Sequence, residues 1–379
     1  MSQKIFNAAD SLISTISAIL LIAGAFLLFT AAESSAESDG ELQTLEVPAE
    51  ETSGGLSRFE YKAEKMAVPV RLIFYAESKE KAEEAAAAVY SRFDELNEMM
   101  SDYNPESEIV RACRESGETG KPVEISQSLY AVLKRAREIN QLSEGAFDIS
   151  VSPIVKLWRR TRIYGKLPPA DYLEKAKELV GNENWNLTET TVNGESRFAL
   201  QVLKKDVRLD LGGIAKGYAI DEGIRVLESL GITSALIDAG GDIRVSAAPP
   251  GKEGWMVSGL SLSGESGTAY YLTVENLAIA ASGDTFQYFE IGGVRYSHII
   301  DPRSGEPLTR HSVVSVSASD ATTADALASA LTVLGPDEGI RILETSLSGI
   351  ETMMLFDIGT GKPEIRATGR FCSFVEDRK

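Results

Sequence analysis

The stretch Leu209 to Asp221, LDLGGIAKGYAID, constrains this chain more than any other, because it joins an extended segment, a paired-glycine turn and a helix start around opposite charges. Arg208, Asp210 and Gly212 alternate with Leu209 and Leu211 as in a short strand. From Gly213 onward, Ile214, Ile220, Ile224, Leu227 and Leu230 suit a helix ended by Gly231. Lys216 then falls in the first helical turn, where the helix dipole disfavours a cation unless an anion is bound. The unpaired N–H groups of that turn themselves attract phosphate. The segment reads as an anion site, although a plain strand-to-helix joint with a solvated lysine has the same local sequence.

A chain of 379 residues with 43% hydrophobic content can bury a substantial core, as one large domain or two smaller ones. Its formal charge of -18 argues against nucleic-acid binding, which needs Lys and Arg clusters, and none appears on this reading. A polyanionic ligand would need local positive charge from a lysine and a metal to overcome that background. Leu12 to Ala32 is uncharged, apolar and of bilayer-spanning length. An uncleaved anchor and a signal peptide cut after Thr30-Ala31-Ala32 both fit, and no cysteine follows the run to take a lipid. Either way the folded part is expected at the periplasmic, extracytoplasmic face of the inner membrane. Residues 1–33 are therefore read as signal or anchor, 34–58 as a flexible acidic linker, and 59–379 as the folded domain. Cys113 and Cys372 are the only cysteines, too few for a disulfide framework; pairing and two free thiols are equally compatible with the sequence.

Val70 to Tyr75 suits a strand. Ser78 can cap a helix whose Ala85, Val89, Phe93, Leu96 and Met100 form one stripe, and Ser126 can cap a second through Leu129, Leu133, Ala136 and Ile139. Ala170 to Val180 makes a shorter helix stopped by Gly181. The later half reads mostly as strand, at Ala235–Ala239, Tyr271–Ala281, Ser312–Ala318 and Thr352–Ile358, with turns such as Gly359-Thr360-Gly361. Strands do not alternate strictly with helices, so the expected class is α+β with largely antiparallel sheets and packed helices.

Three further blocks carry chemistry. In Ser319 to Gly335, Thr322 or Thr323 can cap a helix that buries Leu327, Leu331 and Leu334, while Asp325 and Ser329 project four residues apart from an adjacent face. A carboxylate and a hydroxyl on successive turns are hard oxygen donors of the kind that magnesium takes; an acid serving the helix dipole is the plainer alternative. In SHIIDPRSGEP, the alternation of Tyr296, His298 and Ile300 puts an imidazole near the end of a strand, where it can accept a proton near neutral pH or serve as a structural histidine. His311 reads as a surface residue. Gly145, Ala146, Phe147 and Asp148, before a strand-like ISVSP, suit close contact with a planar ring.

Taken in order, EGAFDISVSPIVKLW, LDLGGIAKGYAID, AASGDTFQY, SHIIDPRSGEP and ADALASALTVLG resemble the ApbE family of FAD:protein FMN transferases over roughly residues 60–370. The resemblance implies Mg²⁺ held by Asp325, by Ser329 where the family has threonine, and by the Gly213 carbonyl; the same donors suit Mn²⁺. It implies FAD contacts from Met66, Tyr103, Ala146, Phe147, Asp148, Asp210, Lys216, Ser282, His298 and Ile300. Met66-Ala67-Val68 stands where the family begins Met-Gly-Thr, and a core Met fits that position as well. Phe147, Tyr103 and Trp158 are equally compatible with the core. His298 is the first candidate general base and Asp301 the second. The implied reaction moves FMN from FAD to a Thr or Ser hydroxyl of an acceptor flavoprotein and releases AMP. Splitting of FAD by water at the same metal, and flavin binding without turnover, are the rival readings.

Overall fold

The computed structural model describes residues 43–44, 55–260, 268–346, 348–357 and 363–373. The apolar run 12–32, most of the linker and the Gly359–Gly361 turn lie outside them. Among the described residues no helix is long and apolar enough to cross a membrane.

A nine-stranded sheet organises the chain. Its strands are Gln43–Thr44, Ser57–Lys65, Val68–Ala76, Ala235–Ala239, Asp242–Val245, Leu277–Gly283, Ser312–Ala318, Glu351–Asp357 and Pro363–Ala367, adjacent in that order and antiparallel throughout. Spatial order thus equals chain order, and the α+β, largely antiparallel expectation holds. Two-residue alternation sorts the side chains. Val70, Leu72, Phe74, Ile237, Ala278, Ala280, Val314, Val316, Met354 and Phe356 face the helices, while Ile73, Tyr75, Leu236, Ile279, Met353 and Leu355 face the other way. There the hairpin of Trp255–Leu260 and Thr268–Val274 covers them through Trp255, Val257, Leu272 and Val274.

The long insertion between Ala76 and Ala235 supplies most helices and a small sheet of Val123–Ile125, Trp185–Val192 and Glu195–Val202. Ser78 and Ser126 cap the helices Lys79–Met100 and Gln127–Leu142 by accepting the N–H groups of Lys81 and Leu129. Two helices lie innermost against the sheet, Ala215–Ser229 and Ala321–Ser346, the latter broken at Gly335 (φ 80°) before Pro336. They meet backbone to backbone at Gly217. A Cβ there would collide with the Ala321 carbonyl oxygen and come within 2.9 Å of the Asp325 Cβ. One turn further, buried Asp221 accepts the N–H groups of Ala321 (2.8 Å) and Thr322 (2.9 Å) and the Thr322 hydroxyl, and pairs with Arg244. The free donors opening the second helix are therefore satisfied largely by the first.

Several local expectations give way to tertiary context. Arg208–Gly212 is not a strand: Val207, Leu209 and Leu211 are buried in alternation, but among the described residues its one backbone bond to a distant segment runs from Asp210 N–H to the Ile149 carbonyl at 2.6 Å, while the Leu211 carbonyl accepts from Ile214 (3.0 Å) and Ala215 (2.8 Å) of the following helix start. Asp320, not Thr322 or Thr323, caps the Ala321 helix, accepting the Thr323 N–H at 2.8 Å. ISVSP is a short 3₁₀ turn, Ile149–Val151, running into the helix Ser152–Tyr164. Tyr271–Ala281 is two strands separated at Asn276 (φ 48°). Cys113 is buried and Cys372 exposed, and both are free thiols; burial pushes the Cys113 thiol up to about 11.

Replacing Gly217 with alanine overpacks the helix crossing and should cost about 1–3 kcal/mol. Urea unfolding checks this, with a lowered midpoint and an unchanged slope as the expected result.

Candidate active site

The helix Ala215–Ser229 begins with Lys216 and Gly217 in its first turn, next to the Asp325 carboxylate of the neighbouring helix. The Gly217 N–H donates to Asp325 Oδ2 at 3.1 Å, and Lys216 Nζ lies 3.8 Å from Asp325 Oδ1, beyond a hydrogen bond. Lys216 instead donates to Asp242, a buried acid at the start of the next hairpin strand, whose other oxygen accepts the Ala281 N–H at 3.1 Å. Two buried carboxylates thus share one lysine. Burial pushes the Asp325 carboxyl up to about 6; Lys216 lowers it, and the charge of Asp242 adds to the rise. Burial opposes the charge on Lys216, but both acids outweigh it and hold the ammonium above its ordinary range.

Ser329 follows Asp325 by one turn. Along the helix from Ala321 to Gly335 it is the one residue that is not buried. A Cβ placed on Gly213 would come 3.3 Å from Ser329 Oγ and 3.2 Å from the Phe147 ring, so the glycine turn, the hydroxyl and the aromatic edge are neighbours. Gly213, Lys216, Asp325 and Ser329 therefore share one region, the first two brought to the Asp325–Ser329 pair by tertiary packing. Within it, a divalent cation fits the donor set: Asp325 Oδ1 has no hydrogen bond among the described residues, Ser329 supplies a hydroxyl, and two acids face only one lysine.

The remaining residues divide. His298 lies just past the strand Val294–Ser297, in a bend rather than within a strand. Its Nδ1 is 3.0 Å from the Gln287 carbonyl oxygen, which can only accept, so Nδ1 carries the proton and Nε2 keeps its lone pair. The residue is exposed, yet nearby protein strips enough water from the ring to lower its pKa from 6.5. The Gln287 carbonyl and Asp284 oppose the shift, while Arg162 and Lys216 add to it. Ser282 is half-buried next to Ala281, which donates to Asp242. Met66 and Ala67, both at positive φ (51° and 60°), form the two-residue turn joining Ser57–Lys65 to Val68–Ala76. Met66 packs partly against the main core.

Asp210 accepts the Gly212 N–H at 2.9 Å and lies 3.4 Å from Arg159, which also binds Asp102 at 2.8 Å and covers the exposed Tyr103 ring at 4.5 Å. Burial, with Asp102 beside it, raises the Asp210 pKa. Other assigned residues have structural work. Asp148 caps its 3₁₀ turn through the Ser150 N–H (2.8 Å) and hydroxyl (2.6 Å), and burial raises its pKa. Asp301 accepts the Arg303 backbone N–H at 2.9 Å and its guanidinium at 2.9 Å, so the second candidate base is engaged within its own turn. Ile300 is buried with Ile154, Trp158, Leu173 and Ala176, and Ala146 belongs to the main core. Trp158 is a core residue that donates to the Gly305 carbonyl at 2.9 Å.

His311 is not a surface residue. It is half-buried and lies 2.7 Å from Asp284, which also accepts the Ser312 N–H (2.9 Å) and Arg295 Nε (2.9 Å). Burial alone would raise the Asp284 pKa, but these hydrogen bonds hold it below its usual value. Sequence reasoning also missed Asp242. The hairpin AGGDIRV is legible as Gly240 and Gly241 at positive φ, but nothing local ties its acid to Lys216.

An antiparallel α+β frame thus gathers a lysine, two acids and a hydroxyl beside the N-terminus of the helix Ala215–Ser229. A sequence model of the ApbE family matches residues 66–354, and the chain belongs to that family. It is 33% identical over 260 residues to an FAD:protein FMN transferase of Vibrio cholerae, covering 67% of this chain and 74% of the relative. A Haemophilus influenzae protein of the same name is 29% identical over 290 residues, covering 74% and 81%. The solved flavin transferase ApbE from Vibrio cholerae superposes with a TM-score of 0.73 at 27% identity, over 84% of this chain and 99% of that one.

The environment of His298 predicts an imidazole that titrates below 6.5 and is neutral at pH 7. An NMR titration of the ring protons in wild type and His298→Gln checks this; an assigned midpoint above 6.5 contradicts it.

Proposed function

We propose that this protein transfers FMN from FAD to a Thr or Ser hydroxyl of an acceptor protein, releasing AMP. The observation that carries the reading is the grouping of Lys216, Asp325, Ser329 and Gly213 at one helix N-terminus, where an anion is favoured. Mg²⁺ would be held by Asp325, Ser329 and the Gly213 carbonyl, and when bound it supplies Lewis-acid stabilisation of charge on the diphosphate. Lys216 clamps the same phosphates, and its ion pair with Asp242 fixes the direction of its side chain. Phe147, against the glycine turn, offers a wall for the nucleotide.

His298 is the proposed general base. Its Nδ1 proton is held by the Gln287 carbonyl, so Nε2 can take the proton of the acceptor hydroxyl. The hydroxyl oxygen then bonds to the flavin-side phosphorus, the bond from that phosphorus to the bridging oxygen breaks, and AMP leaves with the electron pair. Asp301 is a weaker candidate because Arg303 engages both of its oxygens. Tyr103, Asp210, Ser282 and Met66 remain proposed FAD contacts; Ala146, Asp148 and Ile300 would support the pocket from behind rather than touch the flavin. The apolar segment 12–32 would place this activity at the extracytoplasmic side of a membrane.

Asp325→Asn preserves volume and an acceptor for the Gly217 N–H while removing the charge, so the fold should persist. FMN transfer should fall by about 100-fold or more. Covalent flavin fluorescence on the acceptor in a denaturing gel measures transfer, and AMP release with free FMN identifies hydrolysis instead. In thermal melts Mg²⁺ should raise the Tm of wild type but not of Asp325→Asn; equal shifts remove the metal assignment.

Because His298 must be neutral to act, transfer should hold level near neutral pH and fall on acidification with a midpoint below the ordinary imidazole range, since burial lowers the His298 pKa. In His298→Gln that acid limb should vanish along with most of the rate. A pH–rate profile of kcat/KM reads both effects.

A further inference from the structure

From Ile149 to Ala170 the chain has no acid and five cations, Lys156, Arg159, Arg160, Arg162 and Lys166, in a protein whose formal charge is -18. The overall charge hides this cluster, which corrects the reading that the sequence holds none. Most of it lies on the helix Ser152–Tyr164, which Gly165 ends in the left-handed conformation. Only Arg159 is neutralised, by Asp102 and Asp210; Lys156, Arg160, Arg162 and Lys166 are exposed and make no ion pair among the described residues.

Cations near a helix C-terminus are favoured by the dipole, which would account for Arg162 by itself. It does not account for the apolar surface beside them. Ile163 is 74% exposed, Tyr164 73% and Leu167 52%, and Tyr103, under Arg159, is 77% exposed. Lys156, Arg160, Ile163 and Tyr164 follow helical spacing onto one face. Exposed cations interleaved with large apolar groups over a helix end suit a polypeptide that carries both acidic and apolar side chains. The patch also borders the candidate site. Arg162 is close enough to both Tyr103 and His298 to act on their ionisation, and Arg159 links Tyr103 to Asp210.

We propose that the exposed basic and apolar end of the helix Ser152–Tyr164 is the docking surface for an acidic segment of the acceptor protein, delivering its hydroxyl past the FAD contact Tyr103 toward His298. The inference rests on the transferase reading and adds the chemistry of the partner. An acidic partner is repelled by most of this protein's surface and attracted here, so the patch sets both where and in which direction it lands.

The test compares the full protein with a variant carrying both Arg160→Glu and Lys166→Glu, neither placed in the phosphate site. Fluorescent threonine peptides flanked by aspartates or by lysines serve as probes, read by anisotropy for binding and by gel fluorescence for FMN transfer. The aspartate peptide should bind wild type about tenfold more tightly than the lysine peptide, and more weakly as salt rises. The double variant should lose that preference and raise the KM for the aspartate peptide about tenfold, with the KM for FAD unchanged. Equal binding of the two peptides to wild type overturns the proposal, as does a parallel rise in the KM for FAD. Binding of wild type to phosphatidylserine vesicles that the variant loses, without any change in peptide KM, assigns the patch to a membrane and overturns it too. Transfer that proceeds without regard to patch charge sinks this inference alone; no transfer to any peptide sinks the proposed activity with it.

Discussion

The backbone contact between the helices Ala215–Ser229 and Ala321–Ser346 at Gly217 is the constraint on which the candidate site depends. Only a residue without a Cβ lets the Ala321 carbonyl approach that closely. The approach brings the Asp325 carboxylate onto the Gly217 N–H, a donor that the first turn of a helix leaves without an intrahelical partner. The same crossing places Asp221 under the first N–H groups of the second helix, with Arg244 offsetting the buried charge. Each helix therefore caps the other. The arrangement is rigid because breaking it leaves buried polar groups unsatisfied, at about 1–3 kcal/mol for each.

Electrostatics follow from that packing. Asp242 arrives from the sheet and Asp325 from the helix, and Lys216 stands between them in a region that excludes most water. Two acids against one lysine leave a deficit of positive charge, while the half-exposed Ser329 provides the opening. Under the proposed function, a site whose charges are already held in place would need little rearrangement when cation and nucleotide enter. The basic helix end beside it carries the opposite charge, so under the proposals above nucleotide and protein would enter by different parts of one surface.

The class of fold was legible because it rests on two-residue alternation, and the strands Ala235–Ala239 and Ser312–Ala318 coincide with their sequence-based limits. Helix caps at Ser78 and Ser126 were legible for the same local reason. Failures occurred where a distant partner decides the outcome. Leu209 and Leu211 are buried as an inward-facing strand's residues would be, yet among the described residues no strand pairs with the segment, which stays irregular. Asp301 looked available beside His298 until the chain turned and Arg303 engaged it. His311, read from the sequence as a surface residue, is held by Asp284 across the start of a strand.

The sequence by itself determined the antiparallel α+β class, the helix-borne pairing of Asp325 with Ser329 and the lysine of the glycine turn, because each is a matter of spacing within a few residues. It also carried the family resemblance. Only the tertiary structure decided that Asp242 would hold Lys216, that Gly217 would be the crossing point and that Arg162 would stand near His298. Those pairs are separated by 26, 104 and 136 positions in the chain, and proximity over such distances is set by how helices pack on a sheet, which local periodicity does not encode.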